Sequence, residues 1–188
     1  MSPIEPAVLA TPRLRLRPFR EEDAAEAARL AGDRAIWQTT IAIPHPYSAG
    51  QARQWIATLP AKLAQNTEVV FAIALREDDS LIGAVGLSSI STAHHRAELG
   101  YWVARHLWNR GYCTEAARAV LAYGFGRLGL ERIHARHFAG NDASGRVMAK
   151  LGMRPEGVLR QHILKQGRPV DLVCHGILRD EFAASPGS

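Results

Sequence analysis

Glu98-Leu-Gly-Tyr-Trp-Val-Ala-Arg-His-Leu-Trp-Asn-Arg-Gly-Tyr-Cys-Thr-Glu115 is the stretch on which the reading of the chain turns. Its opening, Leu99 to Val103, is apolar, aromatic and β-branched, the composition of a strand. Beyond it, Ala116 to Tyr123 has high helix propensity, and Ala117, Val120, Leu121 and Phe125 recur at helical spacing. The polar segment from His106 to Thr114, with Asn109, Arg110 and Gly111 at its centre, is expected to be the loop between them. A strand that turns through a glycine into a helix start leaves several backbone N–H groups aimed at one spot. With the positive end of the helix dipole, these form an anion site. Arg105, His106 and Arg110 add side chains suited to phosphate. The loop has neither G-x-x-x-x-G-K-[ST] nor G-x-G-x-x-G, which argues against a triphosphatase loop and a dinucleotide fingerprint.

Upstream, Arg13-Leu-Arg-Leu-Arg17 alternates strictly and reads as a strand with one wet face, after a tail over residues 1–10. Glu21-Glu-Asp23 opens an Ala-rich helix that Gly32 stops. Residues 33–47 form a loop with a short helical turn around Ile36 and Trp37. Ser48-x-x-Gln51 matches a capping box and starts a second helix toward Leu63. Val69–Leu75 and Leu81–Leu87 read as a hairpin, followed by the central strand and its helix. Downstream, Arg132 to Phe138 alternates as a strand, parallel to its neighbour because a helix intervenes. Asn141 opens a short helix from Ala143 to Leu151, and strands at Gly157–Lys165 and Pro169–Leu178 complete the chain. The expected order is β-α-α-β-β-β-α-β-α-β-β: one mixed α/β domain over residues 11–182, with a short tail at 183–188.

With 188 residues, 47% hydrophobic and 22% charged, the chain is long enough for a sizeable core and is not disordered in composition. The net charge of +5 favours an acidic partner, yet the positive residues form no run. The two cysteines, Cys113 and Cys174, form no C-x-x-C pair and no metal-ligand spacing, so neither a disulfide framework nor a metal is expected. Residues 1–10 lack the basic segment and apolar core of a secretory signal, and the longest apolar run, Val69 to Leu75, is far too short to span a membrane. A cytoplasmic location with no membrane contact is expected.

Four pieces in this order carry a resemblance: Thr11-Pro-Arg-Leu-x-Leu-Arg17, Glu98-Leu-Gly-Tyr-Trp102, Trp108-Asn-Arg-Gly-Tyr-Cys-Thr-Glu-Ala116, and Asn141-x-x-Ser144 leading to Lys150-Leu-Gly-Met153. The chain resembles the GNAT superfamily of acetyl-CoA-dependent N-acetyltransferases, nearest the branch of ribosomal-protein N-terminal (alanine/serine) acetyltransferases. The resemblance implies a mixed sheet whose two parallel central strands splay apart to take the pantetheine arm of acetyl-CoA near Trp102 and Val103. It puts the pyrophosphate on the loop Asn109, Arg110, Gly111, Tyr112, Cys113 and Thr114, with Arg105 adjacent. Trp108 replaces the family's usual polar residue, and Cys113 its Gly or Ala. Asn141 corresponds to the Asn that bonds the pantetheine. Many relatives place an acidic tyrosine seven residues after that Asn; here the position is Met148, which leaves Ser144 as the candidate partner for the departing thiolate.

Glu98 is the candidate base or anchor for the incoming ammonium, and Trp37 a candidate wall of the acceptor site. The acceptor implied is a primary amine: a protein N-terminus, a free amino acid, a polyamine or an aminoglycoside. Two other classes compete, a non-catalytic acyl-CoA sensor and an RNA- or ribosome-binding module. The second is unlike this chain in lacking a reason for the cofactor motifs, so nucleic acid is not the expected partner. Oligomeric state is left open.

Overall fold

A computed structural model describes residues 7–184. Eight strands form one mixed sheet in the order β1-β2-β3-β4-β5-β6-β8-β7. The strands are β1 (Leu9–Ala10), β2 (Leu14–Arg17), β3 (Val69–Leu75), β4 (Leu81–Ser91), β5 (Arg96–Val103), β6 (Arg132–Phe138), β7 (Arg154–Lys165) and β8 (Arg168–Leu178). The helices are α1 (Asp23–Ala31), α2 (Arg34–Thr39), α3 (Ala49–Ala64), α4 (Tyr112–Gly126), α5 (Asp142–Lys150) and α6 (Arg179–Ala183). The observed order keeps every expected element in sequence and adds β1, α2, α6 and a 3-10 turn at Arg105–Leu107.

Of the expected tails, residues 1–6 and 185–188 lie outside the described residues. Within the rest, Leu9–Ala10 is not tail but an edge strand, Leu9 opposite Leu16. Two residues are too few to show periodicity, and their pairing depends on β2. The turn around Ile36 and Trp37 is a true helix, α2, capped by the Asp33 side chain on the Ala35 N–H. The third addition, α6, buries Phe182 against Phe125 at 5.4 Å between ring centroids.

β4 is buried at every position from Leu81 to Leu87, which requires cover on both faces of the sheet. α1 and α3 pack on one another, with α1 against β4 and β5, while α4 lies against β2, β4, β5 and β6. β5 and β6 are parallel, as expected from the helix between them, but they pair only at Arg96–Arg132, Ala97–Ile133 and Glu98–His134. From Leu99 onward, β5 has β4 on one side and no strand on the other. β6 continues instead with β8, antiparallel from Arg132–Leu178 to Phe138–Leu172. The opening between β5 and β6 therefore begins at Glu98.

A cavity at the opened strands

The opening leads into a cavity of about 710 Å³. Its walls include Glu98, Gly100, Tyr101, Trp102, Val103 and the loop after β5, then Arg136 to Phe138, and Asn141 and Ser144 of α5. The alternation of β5 assigns its side chains to two faces. Glu98, Gly100 and Trp102 share one, and Leu99, Tyr101 and Val103 the other.

On the first face, Glu98 is held by Arg136, whose Nε donates to Oε1 at 2.9 Å and whose Nη2 donates to Oε2 at 2.7 Å. His134 Nε2 lies 3.8 Å from the same carboxylate. Burial lowers the His134 pKa, helped by Arg132, Arg136 and Arg96, and Glu98 only partly offsets this. The imidazole is consequently neutral around pH 7. A Cβ built on Gly100 would meet nothing within 4 Å, so the wall beside Glu98 opens onto free space.

On the second face, the Tyr101 hydroxyl reaches α5, 3.0 Å from Ser144 Oγ and 3.2 Å from the Ser144 carbonyl oxygen. Asn141 Oδ1 accepts from the Ser144 N–H at 3.3 Å, so Asn141 both caps α5 and lines the cavity. Glu98 and Ser144 thus approach the opening from opposite faces of the sheet. Met148 is buried and contributes to the cavity wall a thioether, which has no proton to donate.

The loop after β5 is shorter than expected because Gly111 adopts a left-handed conformation, φ 82° and ψ 0°, and α4 starts at Tyr112. One such residue reverses the chain and leaves the first N–H groups of α4 without helical partners. Trp108, Asn109, Gly111, Tyr112, Cys113 and Thr114 line the cavity. The Trp108 indole N–H donates to the Val103 carbonyl at 2.7 Å, so this departure from the family pattern fastens the loop to the end of β5. Burial pushes the Cys113 thiol up to about 12, which keeps it protonated.

The turn between β1 and β2 secures the same loop from outside. Glu115 accepts from Thr11 Oγ1 at 2.6 Å, from the Arg13 N–H at 2.9 Å and from Arg13 Nε at 2.6 Å. Arg13 also donates to the Arg110 carbonyl at 2.9 Å and lies 4.4 Å over the Tyr112 ring.

Four residues singled out from the sequence do not line the cavity. Arg105 and His106 border a separate surface hollow with Arg29 and Asp33, Arg110 contributes its carbonyl to Arg13, and Trp37 stacks on His45 at 4.9 Å beneath Lys165. Lys165, at the end of β7, donates to the Thr40 carbonyl at 2.7 Å and so ties the β7–β8 hairpin to the segment after α2. Trp102, Val103, Asn109, Gly111, Tyr112, Cys113, Thr114 and Asn141 do line it, together with Glu98 and Ser144. Among the wall residues that sequence reasoning does not single out are Tyr101, Arg136, Arg146 and Lys150. Arg146 and Lys150, four apart on α5, form one basic helix face that the i,i+4 spacing had in view. No spacing rule links Arg136 to Glu98 or Tyr101 to Ser144.

Among the described residues no helix is long and apolar enough to cross a membrane, and no group of three or more His, Cys, Asp or Glu side chains is arranged to hold a metal ion.

Known proteins share this architecture. Residues 13–154 match the family model described as acetyltransferase (GNAT) domain. The chain is 34% identical over 173 residues to the uncharacterized N-acetyltransferase YoaA of Bacillus subtilis, covering 92% of this chain and 97% of that one. It is 25% identical over 185 residues to the [ribosomal protein uS5]-alanine N-acetyltransferase of Escherichia coli, covering 95% and 93%. Among solved structures, Mycobacterium smegmatis RimJ in complex with CoA-disulfide superposes with a TM-score of 0.88 at 25% identity, covering 98% of this chain and 93% of that one. The splayed parallel strands, the left-handed turn into α4 and these matches agree: the chain belongs to the GNAT family and is an acetyltransferase.

Proposed function

We propose that the enzyme transfers an acetyl group from acetyl-CoA directly to a primary amine, and that the amine is a protein N-terminus. The observation that carries the reading is the pairing of β5 and β6 ending at Glu98 beside a left-handed Gly111 turn. An unpaired strand edge suits the amide-bearing pantetheine arm, and the free N–H groups of Tyr112, Cys113 and Thr114 suit a pyrophosphate. The cavity chemistry fits that cosubstrate: Trp102 and Val103 lie along the unpaired edge, Asn141 stands at the head of α5, and Arg146 and Lys150 offer charge to a further phosphate. Acetyl-CoA supplies an activated thioester.

The protein's own residues then have two tasks. Both oxygens of Glu98 accept from Arg136 and each keeps a further lone pair. Glu98 therefore receives a hydrogen bond from the acceptor ammonium, or from a water that takes its proton, on the side that Gly100 leaves open. Ser144, on the opposite face, meets the departing sulfur with a hydroxyl. Neither Cys113 nor Cys174 is needed as a nucleophile. A protein N-terminus as acceptor is supported by the likeness to the ribosomal-protein alanine acetyltransferase.

Thiol release from acetyl-CoA should be measured across free amino acids, polyamines, an aminoglycoside and short peptides with Ala or Ser at the N-terminus. Peptides are expected to turn over fastest. Acetyl-CoA binding with no thiol release for any amine would instead identify a sensor. Glu98→Gln is expected to lower turnover about 10²-fold at saturating amine with acetyl-CoA affinity intact; an unchanged rate would make the Arg136 pair purely structural. Ser144→Ala is expected to reduce turnover about 10- to 100-fold, roughly 1.4 to 2.7 kcal/mol, again with little change in cosubstrate affinity. A folded, fully active Ser144→Ala enzyme would remove the serine from the mechanism.

A further inference from the structure

The Tyr101 phenol lines the opening, and the reading above leaves it without a task. It is deeply placed, and burial raises its pKa well above the usual tyrosine range despite the Ser144 hydrogen bond. It stays neutral and keeps its proton throughout the working pH range. Its two neighbours both belong to Ser144, the hydroxyl at 3.0 Å and the carbonyl at 3.2 Å.

A serine hydroxyl has one proton to give and two lone pairs to fill. If Ser144 spends its proton on Tyr101, it has none for a sulfur in the opening. The phenol has one proton, which the Ser144 carbonyl at 3.2 Å or the nearer Oγ at 3.0 Å can accept; with that proton on Oγ, the serine proton is free to point elsewhere. The Asn141 cap holds the Ser144 backbone in place through its N–H, so the hydroxyl direction rests with Tyr101. An alkoxide is a far stronger base than a thiolate, so neither hydroxyl delivers its proton outright to the leaving group. Each acts by donating a hydrogen bond, and a donor that is itself hydrogen-bonded is polarised into a stronger one.

We propose that Tyr101 is the positioning residue for Ser144. Its phenol donates to Ser144 Oγ, aims the serine proton into the opening between β5 and β6, and strengthens that proton as a donor to the departing thiolate. The inference rests on the proposed acetyl-CoA reaction. When the carbon–sulfur bond breaks, its electron pair stays on sulfur, the Ser144 O–H receives that charge by hydrogen bond, and solvent later supplies the thiol proton.

The test uses Tyr101→Phe, Ser144→Ala and the double variant in the full-length enzyme, with two readouts. The first titrates the thiol of bound CoA by thiolate absorbance, with the desulfo-CoA complex as blank. In the wild type this thiol should titrate about one unit below free CoA. Ser144→Ala should return it to the free value, and Tyr101→Phe should return it part of the way. The second is turnover: Tyr101→Phe should cost about 5- to 10-fold, and the double variant should be no slower than Ser144→Ala, because Tyr101 acts only through the serine.

A Tyr101→Phe complex with the wild-type thiol titration would overturn the proposal. So would a double variant whose loss is the product of the single losses, which is the result expected if the phenol merely braces α5. Calorimetric CoA affinity is measured on every variant. Absence of CoA binding by the wild type would instead overturn the acetyl-CoA reading itself, so the two failures are distinguishable. If Tyr101→Phe alone lost CoA affinity, the tyrosine would be a structural brace and the proposal would fall.

Discussion

A Gly111→Val enzyme is expected to lose about 10²-fold or more in acetyl-CoA affinity. Gly111 sits at φ 82°, where a β-branched residue is a true outlier, and a single left-handed residue costs about 1–2 kcal/mol. A Cβ at this position would also come within 3.4 Å of Arg13 Nη2, whose guanidinium is already committed to Glu115 and the Arg110 carbonyl. Relief requires the turn to open, which re-aims the N–H groups of Tyr112, Cys113 and Thr114. Each hydrogen bond to a charged group contributes about 1.5–3 kcal/mol, so losing one or two accounts for the effect. Acetyl-CoA at a hundredfold excess over its dissociation constant should stabilise the wild type by about 2.7 kcal/mol. The valine variant should lose most of that increment, read as the shift in unfolding midpoint caused by ligand rather than as the midpoint itself. Gly111→Asn, which tolerates a left-handed backbone, should keep more of it. A valine variant stabilised by acetyl-CoA as well as the wild type would dismiss the loop as the phosphate site.

Asp23→Ala is expected to destabilise the fold by about 3–5 kcal/mol without touching the site. Asp23 and Arg17 are 8% and 4% exposed as side chains, and they meet through two hydrogen bonds of 2.7 and 2.9 Å. Asp23 also accepts the Arg20 N–H at 2.7 Å. Truncating the aspartate leaves a guanidinium nearly out of water, with only Asp79 and the Pro18 carbonyl beside it. Replacing both partners by apolar residues, Arg17→Met with Asp23→Leu, should recover much of the loss.

Burial pushes the Asp23 pKa up, but hydrogen bonds from Arg17 and the Arg20 backbone, with the charges of both arginines, outweigh it and leave the pKa below the usual value. The contribution of Asp23 is therefore fully present above the unfolded aspartate value of about 3.9 and is lost as pH falls through the lower folded value. Urea midpoints of wild type and Asp23→Ala should differ widely at pH 7 and converge in acid. A difference below about 1 kcal/mol at pH 7 would mean that the pair is no more than a surface ion pair.

Local signals in the chain proved sufficient for most elements. The capping box forms as read: Ser48 Oγ accepts the Gln51 N–H at 3.2 Å, and Gln51 Oε1 accepts the Ser48 N–H at 2.9 Å. The alternation of β6 runs from Arg132 to His137, and Phe138 beyond it is buried as well. Leu14 and Leu16 are fully buried and Arg15 is exposed, as strand period demands. Arg17 breaks that pattern: it was assigned to the wet face but is buried, because Asp23 and Asp79 converge on it from elements that alternation does not see.

At the candidate site the division has the same cause. Backbone-encoded features were legible, because each depends on residues close in sequence: Gly111 at the turn and Asn141 as a cap; β5 starts at Arg96, two residues before Glu98, where the strand was expected to begin. Partnerships across the fold were not legible. Thr11 and Arg13 find Glu115 more than a hundred residues away, Arg136 finds Glu98, and Tyr101 finds Ser144. The sequence alone determined most of the elements, their order, and the turn through Gly111 into α4. Only the tertiary structure decided where β5 and β6 part and which side chains line the gap, because those contacts are set by sheet register and helix packing, which no local propensity contains.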